Sequence, residues 1–288
     1  MSLTQDKSNN ANLCSTIDRC QDSGIIQKVA VITGASRGIG LVTAKLFYSK
    51  GYMVYDLSRS GCDTTWCKHL FCDVVDPNSI KNACDSIVKE VGRIDTLVVN
   101  AGYGISGAVE FTSLTDAKKQ FDVNFFGAFN SAKAFLPQLR QQGFGSIIFI
   151  GSVAGVFSIP FQSFYSATKS ALNSLCGALR QEVKEFGIKV SIVLPGDTKT
   201  EFSKGRQKSN EGKEVYAKMQ KSVSQMEKDE EFGASADCVA KVIYKVANKK
   251  HPPLSTTVGF GYKTLVFLKR ILPETMINDI IGKIYCKK

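Results

Sequence analysis

Short apolar runs alternate with longer amphipathic stretches along most of this chain. The runs are apolar throughout and rich in β-branched residues, as in VAVIT (29–33), which is typical of strands buried on both faces. The predicted strands are 29–33, 52–56, 69–73, 94–100, 146–152 and 189–195. The predicted helices are about 39–50, 77–91, 115–142 and 163–186. This alternation predicts an α/β fold, a single doubly wound domain whose parallel sheet of about seven strands carries helices on both faces.

The composition is typical of a globular protein, with 43% hydrophobic and 22% charged residues among 288. The nine cysteines include no CxxC pair, and the first 27 residues lack the apolar core of a secretory signal. We therefore expect a reducing, cytoplasmic location. The tightest cluster, formed by Cys62, Cys67, His69 and Cys72, fits no zinc-binding spacing, so no metal site is predicted.

Positive charge is concentrated toward the carboxyl end. The formal net charge is +11, and residues 241–288 hold ten lysines and arginines against Glu274 and Asp279. No nucleic-acid-binding motif accompanies this charge, so no nucleic acid is expected as a partner. A solvated basic tail, or one that rests near acidic lipid, is the favoured interpretation. No run of eighteen apolar residues is present, so no transmembrane span is predicted.

The turn after the first strand reads TGASRGIG (33–40), with glycines at Gly34, Gly38 and Gly40. Such glycines let the backbone approach a pyrophosphate and let the helix pack closely on the strand. The loop lacks the GK[ST] ending of a Walker A motif, and its spacing is GxxxGxG rather than GxGxxG. Because it follows the first strand of a βαβ unit, it predicts a dinucleotide site.

The pentapeptide YSATK (165–169) sets Tyr165 four residues before Lys169, thirteen residues after Ser152. Taken alone, this spacing also fits an ordinary helix surface. With the other motifs it resembles the classical short-chain dehydrogenases/reductases, over about residues 28–200. The matching features, in family order, are TGASRGIG, Asp73, the NAG of Asn100, Ala101 and Gly102, Asn124, Ser152, Tyr165, Lys169, Pro195 and Gly196. The resemblance implies a Rossmann domain, a nicotinamide cofactor and an oxidoreductase acting on a CH–OH group.

The resemblance also places the residue that discriminates NAD from NADP at Ser58, followed by Arg59. Asp56 lies two residues too early in the family register to bind the adenosine ribose. Arg37, inside the glycine loop, is a second cation where NADP-using relatives often carry one. Because two guanidiniums bind a 2′-phosphate strongly, the predicted cofactor is NADP(H). The alternative is that Arg59 is a surface arginine and that both cofactors are accepted.

Further cofactor contacts are implied by the same resemblance. Asp73 and Val74 match the pair that holds the adenine, and Thr198 and Thr200 match positions that contact the nicotinamide carboxamide. The full set of expected cofactor-binding residues is Gly34, Ser36, Arg37, Gly38, Ile39, Gly40, Ser58, Arg59, Asp73, Val74, Asn100, Ala101, Gly102, Tyr165, Lys169, Pro195, Gly196, Thr198 and Thr200.

Four residues are expected to carry the reaction. A phenol with a pKa near 10 is a poor acid–base group at neutral pH, so Lys169 and a nearby oxidised nicotinamide are together predicted to favour the phenolate of Tyr165, the proton donor and acceptor. Lys169 would also hold the nicotinamide ribose. Ser152 would donate a hydrogen bond to the substrate oxygen, and Asn124 would hold a water that links the lysine to solvent.

A serine hydrolase is the rival interpretation of Ser152. The surrounding residues 151–155 read GSVAG rather than GxSxG, and the only histidines are His69 and His251, which disfavours a hydrolase. A catalytically inactive NADP-binding sensor or scaffold is a further alternative. Such proteins usually lose the tyrosine or the lysine, whereas this chain keeps Tyr165 and Lys169.

The predicted reaction is NADPH-dependent reduction of a lipophilic ketone or aldehyde, or the reverse oxidation of an alcohol. The motifs look most like the branch that contains 17β-hydroxysteroid, retinol and acyl-dihydroxyacetone-phosphate reductases; a 3-oxoacyl-type reductase is the alternative. Phe157, Phe161 and Phe202 flank the expected cleft, and each fits a core position equally well. Relatives pair through the helices that correspond to 115–142 and 163–186, so a homodimer or homotetramer is expected.

We divide the chain into a polar extension (1–27), a dinucleotide-binding and catalytic core (28–200), and residues 201–288 of the same domain. This last part holds the expected substrate lid, a final helix and strand, and an amphipathic C-terminal helix. One stripe of that helix is apolar, namely Met276, Ile277, Ile280, Ile281 and Ile284. The stripe is predicted either to pack on the protein or a partner subunit, or to roof a lipophilic site or touch a membrane surface.

Overall fold

The structure is a computed structural model that describes residues 27–203 and 205–286. The predicted polar extension therefore lies outside the described residues, except for Gln27. The division of the chain at residues 28 and 200 stays a sequence-based prediction.

Seven parallel strands form the central sheet. They are β1 (Val29–Thr33), β2 (Met53–Ser58), β3 (Lys68–Phe71), β4 (Thr96–Val99), β5 (Gly145–Ile150), β6 (Ile188–Pro195) and β7 (Ser255–Val258). Their order across the sheet is β7-β6-β5-β4-β1-β2-β3, so the strand order reverses between β1 and β4. Ligands bind at such a reversal, beyond the carboxyl ends of the strands. The predicted doubly wound α/β fold is confirmed.

Helices cover both faces of the sheet. One face packs against α1 (Gly38–Ser49) and a later helix, α7, formed by Ala236–Ala247. The other face packs against α2 (Pro77–Val91), α4 (Gly127–Gln142) and α5 (Ser163–Glu182). Strands buried on both sides explain why the apolar runs in the sequence show no alternation.

Local signals explain where helix α2 begins and ends. The Asp76 carboxylate accepts a hydrogen bond from the Asn78 backbone N–H at 2.9 Å, and Pro77 occupies the first helical position. Gly92 ends the helix in the left-handed conformation, with φ of 68°. These signals account for the close agreement with the predicted helix 77–91.

The helix predicted over 115–142 is interrupted. It consists of α3 (Leu114–Phe121), one turn of π-helix (Asp122–Phe126) and α4. Single π-helical turns inside α-helices are frequently found at functional sites. The predicted catalytic Asn124 lies at the centre of this turn.

The segment beyond β6 folds over the carboxyl end of the sheet. It contains α6 (Met219–Glu231), α8 (Phe260–Leu268) and α9 (Glu274–Tyr285). Two short parallel strand pairs attach it to the core, Thr198–Lys199 with Ala234–Ser235 and Ile105–Ser106 with Gln207–Lys208. These pairs hold the region of the predicted lid beside the cleft described below.

Two isoleucines of the α9 stripe pack on the protein. Ile277 and Ile281 are buried in one cluster with Val153 and Phe157, whereas Met276 and Ile284 remain exposed. Packing on the body of the protein is therefore the interpretation that the contacts support for the centre of the stripe. Within the described ranges, no helix has the length and apolar character needed to cross a membrane.

Candidate active site

A cleft opens at the carboxyl ends of β1, β4, β5 and β6, at the reversal of strand order. It contains about 1170 Å³ of empty space, including its open mouth. Most residues of the expected site line it, namely Gly34, Arg37, Gly38, Ile39, Asn100, Ala101, Gly102, Ser152, Tyr165, Lys169, Pro195, Gly196, Thr198 and Thr200. The structure thus brings together motifs that lie up to 166 residues apart in the sequence.

The glycine loop depends on residues without a side chain. Gly34 and Gly38 adopt φ of 69° and 58°, a region that glycine enters at little cost. A Cβ at Gly40 would lie 2.3 Å from the Gly34 carbonyl oxygen and 2.6 Å from Asn100 Nδ2. The Asn100 amide in turn donates to the carbonyls of Thr33 and Gly34, at 3.0 and 2.9 Å. Asn100 therefore fixes the loop against the end of β4.

Asp56 performs a structural task beside the same loop. Its carboxylate accepts from the Ala35 N–H at 2.8 Å and from the Ser58 hydroxyl at 2.7 Å, and lies 3.2 Å from His69 Nδ1. Asp56 is buried, and these three partners occupy its oxygens. The interpretation that Asp56 lies too early in the family register to bind the ribose stays a prediction.

Several expected cofactor residues lie outside the lining of the cleft. Arg59 is exposed just after β2, and Ser58, at the end of that strand, is buried. Asp73 accepts a hydrogen bond from the Val75 N–H at 3.1 Å, and Val74 is buried against Gly127. Also outside the lining are Ser36, Gly40 and Asn124.

Tyr165 lies in the cleft on α5, facing the end of β5. Its ring centroid is 5.7 Å from that of Phe202, and its hydroxyl forms a hydrogen bond with Ser152. Burial raises the pKa of the Tyr165 phenol to about 12, and the hydrogen bond with Ser152 lowers it only in part. At neutral pH the phenol therefore holds its proton, the form that donates to a substrate oxygen.

Lys169 lies one helical turn beyond Tyr165 and is buried. Its ammonium donates to the Ile150 carbonyl at 2.8 Å and lies 5.8 Å from the centre of the Tyr165 ring. Burial lowers the pKa of Lys169 to about 8. That Lys169, together with an oxidised nicotinamide, lowers the pKa of the Tyr165 phenol stays a prediction.

Asn124 links three segments around the cleft. Its side-chain oxygen accepts from the Tyr103 N–H at 3.0 Å, and its amide donates to the Tyr103 carbonyl at 2.9 Å. The amide nitrogen also lies 3.3 Å from the hydroxyl of Thr168, which precedes Lys169. The π-helical turn therefore positions the chain after the NAG segment beside the helix that carries Tyr165 and Lys169.

The structure also brings charged and aromatic residues to the cleft that the sequence did not single out. Arg206 forms an ion pair with Glu230, and Tyr262 donates a hydrogen bond to Asp197. The added lining residues used below are Gln162, Asp197, Arg206, Glu230 and Tyr285. Asp197 directly follows the Pro-Gly pair, which was an available signal, whereas Arg206 and Glu230 lie in the stretch 204–231, whose charge density resembled a solvated surface.

The three flanking phenylalanines have different surroundings. Phe202 lines the cleft, whereas Phe157 is buried in the cluster with α9. Phe161 is half-buried, adopts a positive φ of 61° and contacts Tyr216 with ring centroids 6.2 Å apart.

Comparison with known proteins identifies the family. A family model for the short chain dehydrogenases matches residues 28–211. A 3-ketodihydrosphingosine reductase of Bacteroides thetaiotaomicron is 38% identical over 263 residues, which cover 90% of this chain and 98% of that protein.

Solved structures agree with this match. A short-chain dehydrogenase from Streptomyces avermitilis has a TM-score of 0.76 at 28% identity and covers 89% of this chain and 96% of its own. ElxO with NADP bound has a TM-score of 0.69 at 26% identity, over 83% of this chain and 99% of its own. The chain therefore belongs to the short-chain dehydrogenase family of oxidoreductases, which bind a nicotinamide cofactor.

Proposed function

We propose that this protein is an NADPH-dependent reductase of a long-chain ketone, and that the reaction takes place between Tyr165 and Ser152. The observation that carries the proposal is the meeting of the glycine loop, Ser152, Tyr165 and Lys169 in one cleft. The bound cofactor would supply the hydride to the carbonyl carbon. The protein must then supply the proton and stabilise the charge that develops on the oxygen.

The residues of the cleft are suited to supply the proton and to stabilise the charge on the oxygen. Tyr165, protonated at neutral pH because burial raises its pKa, would donate the proton to the carbonyl oxygen. Ser152 would donate a hydrogen bond to the same oxygen. Lys169, held by the Ile150 carbonyl, would bind the nicotinamide ribose, and Asn124 would position Lys169 and the water that supplies it.

The preference for NADP(H) rests on two exposed cations and the occupied carboxylate of Asp56. The guanidinium of Arg37 borders the cleft beside Gly205. Tyr103 also lines the cleft, and burial raises the pKa of its phenol. The positive charge of Arg59 lowers that pKa in part, so Arg59 acts on the same end of the cleft. A 2′-phosphate between the two guanidiniums would meet positive charge and no free carboxylate from β2.

We expect NADPH to bind at least about tenfold more tightly than NADH, because each charge-assisted phosphate contact contributes roughly 1.5–3 kcal/mol. Replacing both Arg37 and Arg59 by Ala should remove most of this difference while leaving the NADH affinity nearly unchanged. Titration of cofactor fluorescence measures both affinities. Arg140→Ala, an exposed arginine outside the cleft lining, is the matched control. Equal affinities of the unmutated protein for the two cofactors would contradict the assignment.

A long-chain ketone fits the remaining lining, which includes Ile150, Val153, Ile159 and Phe202. The name of the similar Bacteroides protein directs the choice to 3-ketodihydrosphingosine, a long-chain ketone with an amine and a hydroxyl beside its carbonyl. The test is NADPH oxidation with this ketone, compared with a steroid ketone, a retinoid aldehyde and a 3-oxoacyl thioester. Faster turnover of the thioester would favour the 3-oxoacyl-type alternative, and a lack of turnover with every carbonyl would favour the inactive sensor.

We also propose that the protein forms a homodimer or homotetramer through the helices of residues 114–142 and 163–182. Phe126 and Phe129 remain exposed there, at 49% and 39% of their surface, as expected for an apolar face that a second copy covers. Light scattering at micromolar concentration should give two or four times the chain mass of 31.4 kDa. A mass of one chain would refute the proposal. A cytoplasmic location and a peripheral membrane contact through α9 stay predictions.

A further inference from the structure

Three charged residues that the proposed chemistry does not use lie at the substrate side of the cleft. Asp197 follows β6, Arg206 comes from the segment after it, and Glu230 lies near the end of α6. All three line the cleft, and all three charges act on the Tyr165 phenol. We call them the head-group cluster. Arg206 is buried and the two carboxylates are half-buried, and charges removed from water in this way are costly unless they have partners.

Arg206 has a donor without a partner. Its side chain is completely enclosed, and its Nη2 pairs with Glu230. The Gln162 amide, oriented with its oxygen toward the guanidinium, accepts from Nη2 at 3.1 Å and from Nε at 3.2 Å. Nη1 is buried and has no hydrogen-bond partner among the described residues. A guanidinium N–H in this position is complementary to an oxygen acceptor of a ligand.

The two carboxylates of the cluster differ in how fully they are satisfied. Glu230 accepts from Arg206 through one oxygen and from the Ser203 hydroxyl through the other. Asp197 accepts a hydrogen bond from the Tyr262 hydroxyl through one of its oxygens. Asp197 is half-buried and retains acceptor capacity toward the cleft. A carboxylate in this position is complementary to a cation.

The charge balance at this end of the cleft favours a cationic ligand. Arg206 and Glu230 compensate each other, so the charge of Asp197 is left over. Two other cations line the cleft: Lys169 donates to the Ile150 carbonyl, and Arg37, beside Gly205, is the cation proposed above to bind the cofactor 2′-phosphate. The further carboxylate that lines the cleft, Glu201, is exposed. A phosphate or thioester-linked phosphate beside Tyr165 would meet these carboxylates, whereas an ammonium group would be attracted to them.

We propose that the head-group cluster binds the amino-alcohol head of a 2-amino-1-hydroxy-3-ketone, with Asp197 accepting from the ammonium group and Arg206 Nη1 donating to the hydroxyl oxygen. This inference rests on the proposed ketone reduction and adds its specificity. The amine and the hydroxyl lie one and two carbons from the carbonyl, so a head held by the cluster presents that carbonyl to Tyr165 and Ser152. Neutral and anionic ketones lack the group that Asp197 recognises.

The amine contact should depend on pH. Burial raises the pKa of Asp197 to about 6. The negative charges of Asp229 and Glu230 raise it further, whereas the hydrogen bond from Tyr262 and the positive charge of Arg206 lower it. Other ionisable groups near this end are Tyr165 and Tyr285, whose phenols stay neutral in this range because burial raises their pKa. Asp197 is therefore charged at pH 7 and gains a proton as the pH falls through 6.

The test compares kcat/KM for three ketones of equal chain length. They are the 2-amino-1-hydroxy-3-ketone, its N-acetyl derivative, which is neutral, and its 1-deoxy analogue, which lacks the hydroxyl. The amino ketone should exceed each of the other two by about tenfold or more, because each loses one charge-assisted hydrogen bond. Between pH 7 and 5 the advantage over the N-acetyl ketone should shrink, whereas the 1-deoxy comparison should change little.

Asp197→Asn keeps the shape and an acceptor for Tyr262 but removes the charge. It should reduce the ratio of kcat/KM for the amino ketone over the N-acetyl ketone by about tenfold, mainly through KM. Asp229→Asn removes a nearby charge that does not line the cleft and should preserve most of the ratio. An unchanged ratio in Asp197→Asn, or equal turnover of the amino and N-acetyl ketones by the unmutated enzyme, would overturn the head-group assignment while leaving the ketone reductase intact.

Binding of the corresponding short-chain 2-amino-1,3-diol supplies a readout that does not need turnover. Calorimetry with the unmutated protein and cofactor should show binding of the diol at least about tenfold tighter than that of its N-acetyl form. If no ketone is reduced, the proposed function fails, and the calorimetry alone decides the head-group site. Equal binding of the two diols, or no binding of either, would exclude that site.

Discussion

Replacing Tyr165 by Phe is expected to lower kcat by about 10²-fold or more while NADPH affinity and the melting temperature change little. The substitution removes only the hydroxyl, so the aromatic contact with Phe202, at 5.7 Å between centroids, is retained. The lost group is the one that would donate the proton to the carbonyl oxygen. Steady-state kinetics with a ketone that the unmutated enzyme reduces, together with cofactor titration, measure both parts of this expectation.

Two further substitutions provide contrasting controls. Ser152→Ala should preserve cofactor affinity and lower the rate, since the hydroxyl contacts Tyr165 and the expected substrate oxygen. Lys169→Ala should weaken both cofactor affinity and the rate, because it removes the ammonium that donates to the Ile150 carbonyl and that would bind the cofactor ribose. If Tyr165→Phe reduced the ketone with normal kinetics, the YSATK motif would have no role in proton transfer.

The sequence predicts the sheet well because its strands are buried on both faces. Every residue of VAVIT (29–33) is buried in the structure, so the apolar run and the strand coincide. The glycine loop was equally predictable, because its positive φ values and close contacts require residues that are conspicuous in a sequence. The NAG segment and the YxxxK pair then meet that loop because parallel strands end at the same edge of the sheet.

The substrate side of the cleft was not predictable in the same way. Arg206 and Glu230 lie 24 residues apart in a charge-dense stretch, and such a stretch usually remains solvated. Their burial arises from tertiary packing, since α6 and the short strand pairs fold this segment over the core. No periodicity in the sequence indicates that this charged segment packs on the core. A π-helical turn also leaves no mark in the periodicity, so the segment around Asn124 was predicted as regular helix.

Tyr165 illustrates a different limit of sequence reasoning. Lys169, one helical turn away, suggests a lowered pKa for the Tyr165 phenol, but the sequence does not show how deeply either side chain is buried. In the structure burial raises the pKa of the phenol to about 12 and lowers that of Lys169 to about 8. The protein alone therefore favours a neutral phenol, which suits a proton donor in the direction of ketone reduction.

Gly40→Ala is expected to lower the free energy of unfolding by roughly 1–3 kcal/mol and to weaken NADPH binding by about tenfold or more. The added Cβ would lie 2.3 Å from the Gly34 carbonyl oxygen and 2.9 Å from the Cα of Ala35, so backbone atoms of the glycine loop must move. Denaturant unfolding and cofactor titration measure the two effects.

Gly282→Ala is the matched control for this substitution. Gly282 also lies in a helix, but a Cβ there would have no atom within 4 Å. Its replacement should therefore leave cofactor binding unchanged and raise stability by about 0.4–1 kcal/mol, because alanine loses less backbone entropy on folding. If Gly40→Ala bound NADPH as tightly as the unmutated protein, the glycine loop would accept a side chain at this position. The close packing of α1 on the loop would then not be the reason for the glycine.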